Sequence, residues 1–339
     1  MYNQSLQPTV EQTRLLQDIW ERQLPDPGPV VDYSDPTLAL PLTVTVSQAD
    51  PADLADSFCS LWSWDGWVRL FAKPPQAVLA ASRLAAEQGR PKGVAWMAPG
   101  TGQALSSPGG EPGVAVLRCD WAPDQAAVAR AAQEAKDQGM LLVLDESATG
   151  LRLAKGGAAV AFGLEPDMIL WSPSLPGGRT LGLLAGKGQA PPGPKQEPTP
   201  EAQEVAAHLL ELALRDDLSL RLAELGRSLA LGLNYLGARA GLDDEVSLTG
   251  PLAMPRLEGR RVWAFMALAA EERLKLAPLV MLDPSLDHED SQELVWPRLA
   301  RACARLKVLP EGEMAPLGWK EAGPSTCHAV KDILTSLDQ

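Results

Sequence analysis

Two adjacent acids, Asp145 and Glu146, stand directly behind the apolar run MLLVL at 140–144. A run of that length suits a strand buried on both faces, so its last residues emerge where ligands of open α/β sheets sit, beyond the carboxyl ends of the strands. A carboxylate there holds a ligand's cation or accepts hydrogen bonds from the chain's own turn; out of water with neither, it is costly. For Asp145 the turn-forming role is the stronger expectation, with backbone amides or Thr149 as donors. Glu146 and Arg152 read as a solvated or interdomain ion pair.

Other reactive residue types are sparse. Three histidines (His208, His288, His328) lie far apart, and four cysteines (Cys59, Cys119, Cys303, Cys327) lack CxxC spacing. A metal centre or a nucleophile–histidine triad has little to work with, and the cysteines are expected as reduced thiols. The glycine-rich stretch 100–113 fits neither GxxxxGK[ST] nor GxGxxG, so a phosphate loop is not expected. Lys73 reads as a surface residue before a helix, and Trp62, Trp64 and Trp67 as core or dimer packing. A net charge of −13 repels phosphate backbones, which argues against a nucleic-acid partner. The apolar runs are far shorter than a membrane span needs, and residues 1–24 lack the basic and apolar regions of a secretion signal. A soluble, cytoplasmic protein with no membrane partner is the expectation.

Positioning these residues falls to alternating elements. Apolar periodicity predicts helices at 10–23, 50–61, 76–88 and 124–138, and strands at 67–71, 94–97, 114–118, 140–144 and 167–171. Strands and helices alternating on this spacing imply a largely parallel sheet flanked by helices. Prolines between 25 and 41 make that stretch an arm. Beyond a low-complexity linker at 189–200 come a long helical pattern (201–236), strand-like pieces within 246–270, a strand at 276–282 and a helix at 291–306. The chain thus divides into an N-terminal helix and arm (1–49), a large α/β domain (50–200), and a long helix with a small α+β domain (201–339).

The stretch MLLVLDESATGLRLAKGGAAVAFGLEPDMILWSPSLPGG (140–178) resembles the core signature of the class III aminotransferases, pyridoxal-phosphate (PLP) enzymes of fold type I. Asp145, Glu146, Thr149, Gly150, Arg152, Pro166, Asp167, Gly177 and Gly178 stand where that pattern wants them. VRLFAKPPQAVLAASRLA (68–85) resembles the segment in which a strand runs into Ser-Gly-Thr-Glu-Ala at a helix start. LDHEDSQELVWPRLARACARL (286–306) resembles the C-terminal acidic turn and closing helix. The likeness is strongest to the glutamate-1-semialdehyde aminomutase branch. It implies the aspartate aminotransferase-like fold, a mostly parallel sheet flanked by helices with a smaller α+β C-terminal domain, and a site built across a two-fold interface.

In that family PLP needs a lysine for its Schiff base, an acid for the ring nitrogen, a phosphate cup at a helix N-terminus and a ring-stacking group. The resemblance puts Pro173 at the lysine position and Pro74 and Pro75 in the phosphate cup. Residues 99–102 (PGTG) replace the stacking segment, and a second Gly-Thr is missing from the Pro-rich linker. Asp145 alone remains of the cofactor set. These substitutions imply a catalytically inactive aminotransferase-like protein without cofactor or metal, serving as a dimerising scaffold or regulatory subunit. The dimer is formed with itself or with an active paralogue. Two alternatives stand beside it: an enzyme holding PLP or pyridoxamine phosphate (PMP) non-covalently without the lysine, and a small-molecule sensor using a vacant cleft between the domains. Trp96 and Trp171 are expected to fill space that a cofactor would use.

Overall fold

The computed structural model describes residues 14, 31–33, 51–99, 104–106, 110–120, 125–175, 178–193, 197–215, 217–282 and 291–309. Most of the expected helix at 10–23 and of the arm at 25–41 lie outside these residues, as do 100–102, Gly177, His288, Cys327 and His328. The described residues divide into two compact units, one of 51–219 and one of 31–33 with 220–309.

In chain order, β1 (Val31–Asp32) belongs to the second unit. The first unit then runs through α1 (Pro51–Trp62), β2 (Trp67–Phe71), α2 (Pro74–Glu87), β3 (Gly93–Met97), β4 (Ala104–Ser106), β5 (Pro112–Arg118) and α3 (Gln125–Asp137). It continues with β6 (Leu141–Asp145), α4 (Gly157–Phe162), β7 (Met168–Trp171), β8 (Gly182–Gly186) and α5 (Pro200–Arg215). Seven strands form one sheet in the order β2-β8-β7-β6-β5-β3-β4. β3, β5, β6 and β7 are mutually parallel, while β8 is antiparallel to both its neighbours and β4 to β3.

Strand periodicity divides the core into two layers. Ile169 and Trp171 join Leu54, Phe58 and Trp62 of α1 and Ala206 and Leu210 of α5 on one face. Met168 and Leu170 join Ala77, Ala81 and Leu84 of α2 on the other. α5 therefore packs in this unit, which continues beyond the expected linker. The sequence pattern gave no strand at β8, GLLAG, because its ends are glycines, which weaken a strand reading. Both serve close approach: a Cβ at Gly182 would come within 3.0 Å of the Pro74 Cα, and one at Gly186 within 2.3 Å of the Trp67 ring.

The second unit holds α6 (Leu218–Ala240), β9 (Ser247–Thr249), β10 (Arg256–Glu258), α7 (Val262–Glu271), β11 (Leu274–Lys275) and α8 (Trp296–Val308), the last preceded by a wide π-type turn at Ser291–Val295. β9 and β10 pair antiparallel, and β1 pairs β11 in parallel. The expected long helix at 201–236 is two helices. Arg215 ends α5 and Asp217 precedes α6, each charge suiting the helix end it stands at. Strand-like pieces were expected within 246–270, and β9 and β10 lie there; the rest of that span, from Val262, is helix, where buried Val262, Phe265, Met266 and Ala269 recur at helical spacing. The expected strand at 276–282 does not form, since Pro278 has no N–H to give a ladder. The segment makes single bonds instead, Leu257 N–H to Pro278 O at 2.8 Å and Val280 N–H to Pro255 O at 2.9 Å.

Candidate functional site

Register assembles the charged end of the sheet. β5 and β6 run parallel with Arg118 opposite Asp145, and Asp120, two residues on, shares the side of Arg118 by the strand period. Arg118 Nη2 bonds Asp120 Oδ2 at 2.6 Å, and Arg118 Nε lies 3.7 Å from Asp145 Oδ2. The other oxygen of Asp145, Oδ1, accepts from the Ser147 backbone N–H at 3.0 Å. Of the two donors expected for Asp145 a backbone amide is present, whereas Thr149 bonds elsewhere. Arg118 and Asp120 were not singled out in the sequence; the signal was there only in the apolar strand that ends at Arg118 and in the neighbour it acquires.

Burial acts on Arg118 and Asp120 in opposite senses to their charges' mutual attraction. It pushes the Asp120 carboxyl up, with Arg118 working against the rise. Burial also opposes the charge of Arg118, but Asp120 and Asp145 outweigh it and hold the guanidinium above its ordinary pKa. Between them, the Cys119 thiol is pushed well up by burial and then by Glu146, Asp120 and Asp145, which disfavours its thiolate.

Glu146 overturns the expectation of a solvated ion pair with Arg152, because both are buried, at 0% and 2% exposure. Its carboxylate accepts from Thr149 Oγ1 at 2.5 Å and from the backbone N–H groups of Ala158 (3.0 Å) and Ala159 (2.9 Å) at the start of α4. Unpaired helix-start amides draw an acid inward and satisfy it there. Gly157, at φ +66°, is required by the same contact, since a Cβ would meet the Glu146 carboxylate at 2.5 Å. Burial nevertheless raises the Glu146 carboxyl to about 7.

At the end of β7 the chain turns through Ser172 and Pro173. Ser172 N–H donates to Ser147 Oγ at 3.1 Å, and Ser172 Oγ donates to Leu181 O at 2.7 Å. Pro173 is buried and brings no amine. Trp171, 1% exposed, packs 6.0 Å from the ring of Trp62 and 6.3 Å from that of Phe58. Trp96 joins the opposite core layer. These two tryptophans thus belong to the layers on either face of the sheet. Trp62 lies in the core as expected, and Trp64 and Trp67 are partly buried against it.

The start of α2 is closed to an anion. Pro74 and Pro75 have no N–H, the Gln76 N–H donates to Lys73 O at 3.1 Å, and the Gln76 side chain accepts from the Lys73 N–H at 3.2 Å. Lys73 and Lys155 are exposed. Lys187 Nζ lies 5.2 Å over the Trp64 ring. Among the described residues no cluster of three or more His, Cys, Asp or Glu forms a metal site, and no helix is long and apolar enough to cross a membrane.

No model of a protein family matches the sequence. The chain is similar to the glutamate-1-semialdehyde 2,1-aminomutase of Persephonella marina, 29% identical over 168 residues that make up 44% of this chain and 39% of the relative. It is also similar to the enzyme of that name from Thermus thermophilus, 34% identical over 134 residues, 36% of this chain and 31% of the relative. The chain therefore matches well under half the length of these curated relatives. In structure it is similar to an omega-transaminase from Sphaerobacter thermophilus (TM-score 0.60, 17% identity, 86% of this chain and 83% of that one). The N-acetylornithine aminotransferase of Stenotrophomonas maltophilia gives a TM-score of 0.60 at 17% identity over 88% and 86%. The FumI protein of Sphingopyxis sp. MTA144, in its PLP internal aldimine form, gives 0.61 at 16% over 82% and 84%.

These likenesses correct the expectation that the chain takes no cofactor: relatives and structural neighbours alike point to PLP. The residues present do not fit that group throughout. Asp145 stands at a strand end where a carboxylate would meet a ring nitrogen, but both its oxygens are engaged by the chain. Position 173 has no amine, and 74 and 75 have no amide N–H. The architecture itself is unambiguous, a mostly parallel sheet between helical layers: the chain has the fold of the type I PLP-dependent aminotransferases.

Proposed function

We propose that this is an aminotransferase-fold protein that does not carry out lysine-dependent amino-group chemistry and that acts as a dimerising scaffold or regulatory subunit. What supports this reading is the end of β7, where the resemblance puts Pro173 at the family's lysine position and the residue there is buried. A proline has no primary amine with which to link or release a carbonyl compound or to shuttle the proton of an amino-group exchange. The neighbouring lysines in sequence do not take its place, Lys155 being exposed and Lys187 lying over Trp64. The acids of the signature serve the fold, Glu146 at the start of α4 and Asp145 between Ser147 and Arg118.

The subunit role rests on the likeness to aminotransferases, which implies a two-fold assembly with an isologous interface. Its test pairs two measurements on the purified chain. Incubation with PLP and glutamate, glutamate-1-semialdehyde or ornithine as amino donors is expected to give no exchange above the protein-free rate. Light scattering at micromolar concentration is expected to give a dimer. Turnover contradicts the non-catalytic reading; a monomer contradicts the homodimer and turns the search to an active paralogue as partner.

A second reading is favoured by the comparisons, which point to PLP: the chain holds PLP or PMP without a covalent link and works with it. Retention of PLP through gel filtration together with turnover of any amino donor distinguishes this reading from the first.

A further inference from the structure

The second unit holds a short piece of the N-terminal arm in the manner of a bound peptide. Val31–Asp32 pairs β11 in parallel, with Val31 opposite Leu274 and Asp32 opposite Lys275. The Val31 N–H donates to Arg273 O at 3.0 Å and the Tyr33 N–H to Lys275 O at 2.8 Å, while on the other side Tyr33 O accepts from the Met281 N–H at 2.8 Å. Residues 31 and 33 fall on one face by the strand period, and both are buried, at 5% and 1% exposure. The walls of this slot are held by contacts of the unit itself. Arg273 turns the chain from α7 into β11 at φ +62°, and its carbonyl also accepts from Nη1 of the fully buried Arg298 at 3.2 Å. Opposite, the Leu257 N–H donates to Pro278 O and the Val280 N–H to Pro255 O, which holds the segment carrying Met281 beside β10.

We infer that this slot is a strand-binding site, filled within the chain by Val31–Tyr33, and that it takes the same segment from a second copy of the chain. Recognition is of the kind in which main-chain bonds supply affinity and alternate side chains supply selectivity. Three backbone hydrogen bonds and two buried residues are all provided by three consecutive positions, and none of these contacts depends on which copy the segment comes from. The slot also requires an occupant. Met281 is buried, and without Tyr33 O its N–H is left with no acceptor, a cost that binding of the segment removes. The segment is joined to α1 through residues 34–50, a connection that fully extended reaches on the order of 60 Å, far enough for the arm of one copy to enter the slot of another. Exchange of an identical element between copies replaces each bond by its equal and so costs little. The slot is present whether or not the chain is an enzyme, so the inference does not rest on the scaffold reading.

The experiment uses the full chain and a fluorescent peptide of residues 29–35, PVVDYSD. The double variant Val31→Ser/Tyr33→Ser weakens the resident segment and leaves the slot untouched. In the wild type the tethered segment competes at high local concentration, so by anisotropy the peptide is expected to bind the double variant about tenfold or more tightly than the wild type. It is also expected to raise the variant's melting temperature, and a peptide carrying the same two serines to do neither. Equal binding to wild type and variant, or equal binding of the two peptides, overturns the inference. So does a double variant that is unfolded and that the peptide does not restore. Exchange between copies is read by capture: the immobilised double variant is expected to retain more wild-type than double-variant chain, and excess peptide to abolish the difference. Equal retention, or a difference that survives the peptide, contradicts the exchange. Retention common to both chains reports a dimer formed through another face, so the dimer reading and this inference fail separately.

Discussion

The ends of β6 and β7 lie side by side and differ in kind. At β6, Asp145 and Glu146 are acids whose oxygens are bonded or paired within the chain, to Ser147, Arg118, Thr149 and the first amides of α4. At β7, Trp171 runs into the aromatic core and Ser172–Pro173 follow with no amine, the Ser172 hydroxyl donating to Leu181 O. Both ends keep the features that make a turn, a helix start or a core, and the reactive amine is what β7 lacks. Residues at the signature positions of β6 therefore have folding roles of their own.

Substitutions test that contrast in order of expected size. Trp171→Ala should cost most, about 3–5 kcal/mol, because it opens the core layer between Phe58, Trp62 and α5; urea unfolding checks it, and a loss below about 1 kcal/mol would mean that β7 ends in slack packing. Glu146→Ala strands a hydroxyl and two buried amides and should cost about 2–4 kcal/mol. The same residue gives a pH dependence. Its folded pKa, about 7, lies above the usual 4.5, so the folded state binds this proton more tightly than the unfolded state does. The stability gained is complete below about 4.5 and is lost as pH rises through about 7. Urea midpoints at pH 5.5 and pH 8 should show the fall, and Glu146→Gln should flatten it; an equal fall in the variant assigns the effect elsewhere.

Asp145→Ala should cost less, about 1–3 kcal/mol, since it frees the Ser147 amide and removes one of the two acids facing Arg118. The smallest effect is expected on activity. Pro173→Lys should yield no amino-group exchange, because the start of α2 still lacks amides at 74 and 75 and Asp145 still faces Arg118. Exchange in that variant would show that the amine alone separates this chain from an enzyme.

Much of this was legible in residue order. The sheet strands at 94–97, 114–118, 140–144 and 167–171 were readable because buried parallel strands are short, apolar and separated by helices of clear period, and β2 at 67–71 because it is a short apolar run directly ahead of a helix. β8 was not, because its glycines serve the close approach of Trp67 and Pro74 from far along the chain. α7 was not singled out because its residues are apolar nearly all round, which hides the helical stripe. At the site, Asp145 could be named from order alone, while Pro173, Pro74 and Pro75 were named only through the resemblance. Arg118 could not, since its meaning depends on which strand lies beside β5, and Glu146 looked solvated because the amides that draw it inward come twelve residues later.

The central claim is that no lysine of this chain does the work of the family's Schiff-base lysine. It is tested by reducing the PLP-treated protein with borohydride and mapping its lysines by peptide mass spectrometry, with glutamate turnover followed in parallel. The predicted result is no site modified near one pyridoxyl group per chain and no turnover. One pyridoxyl group per chain on a single lysine, Lys155 or Lys187 for instance, accompanied by turnover, would contradict it.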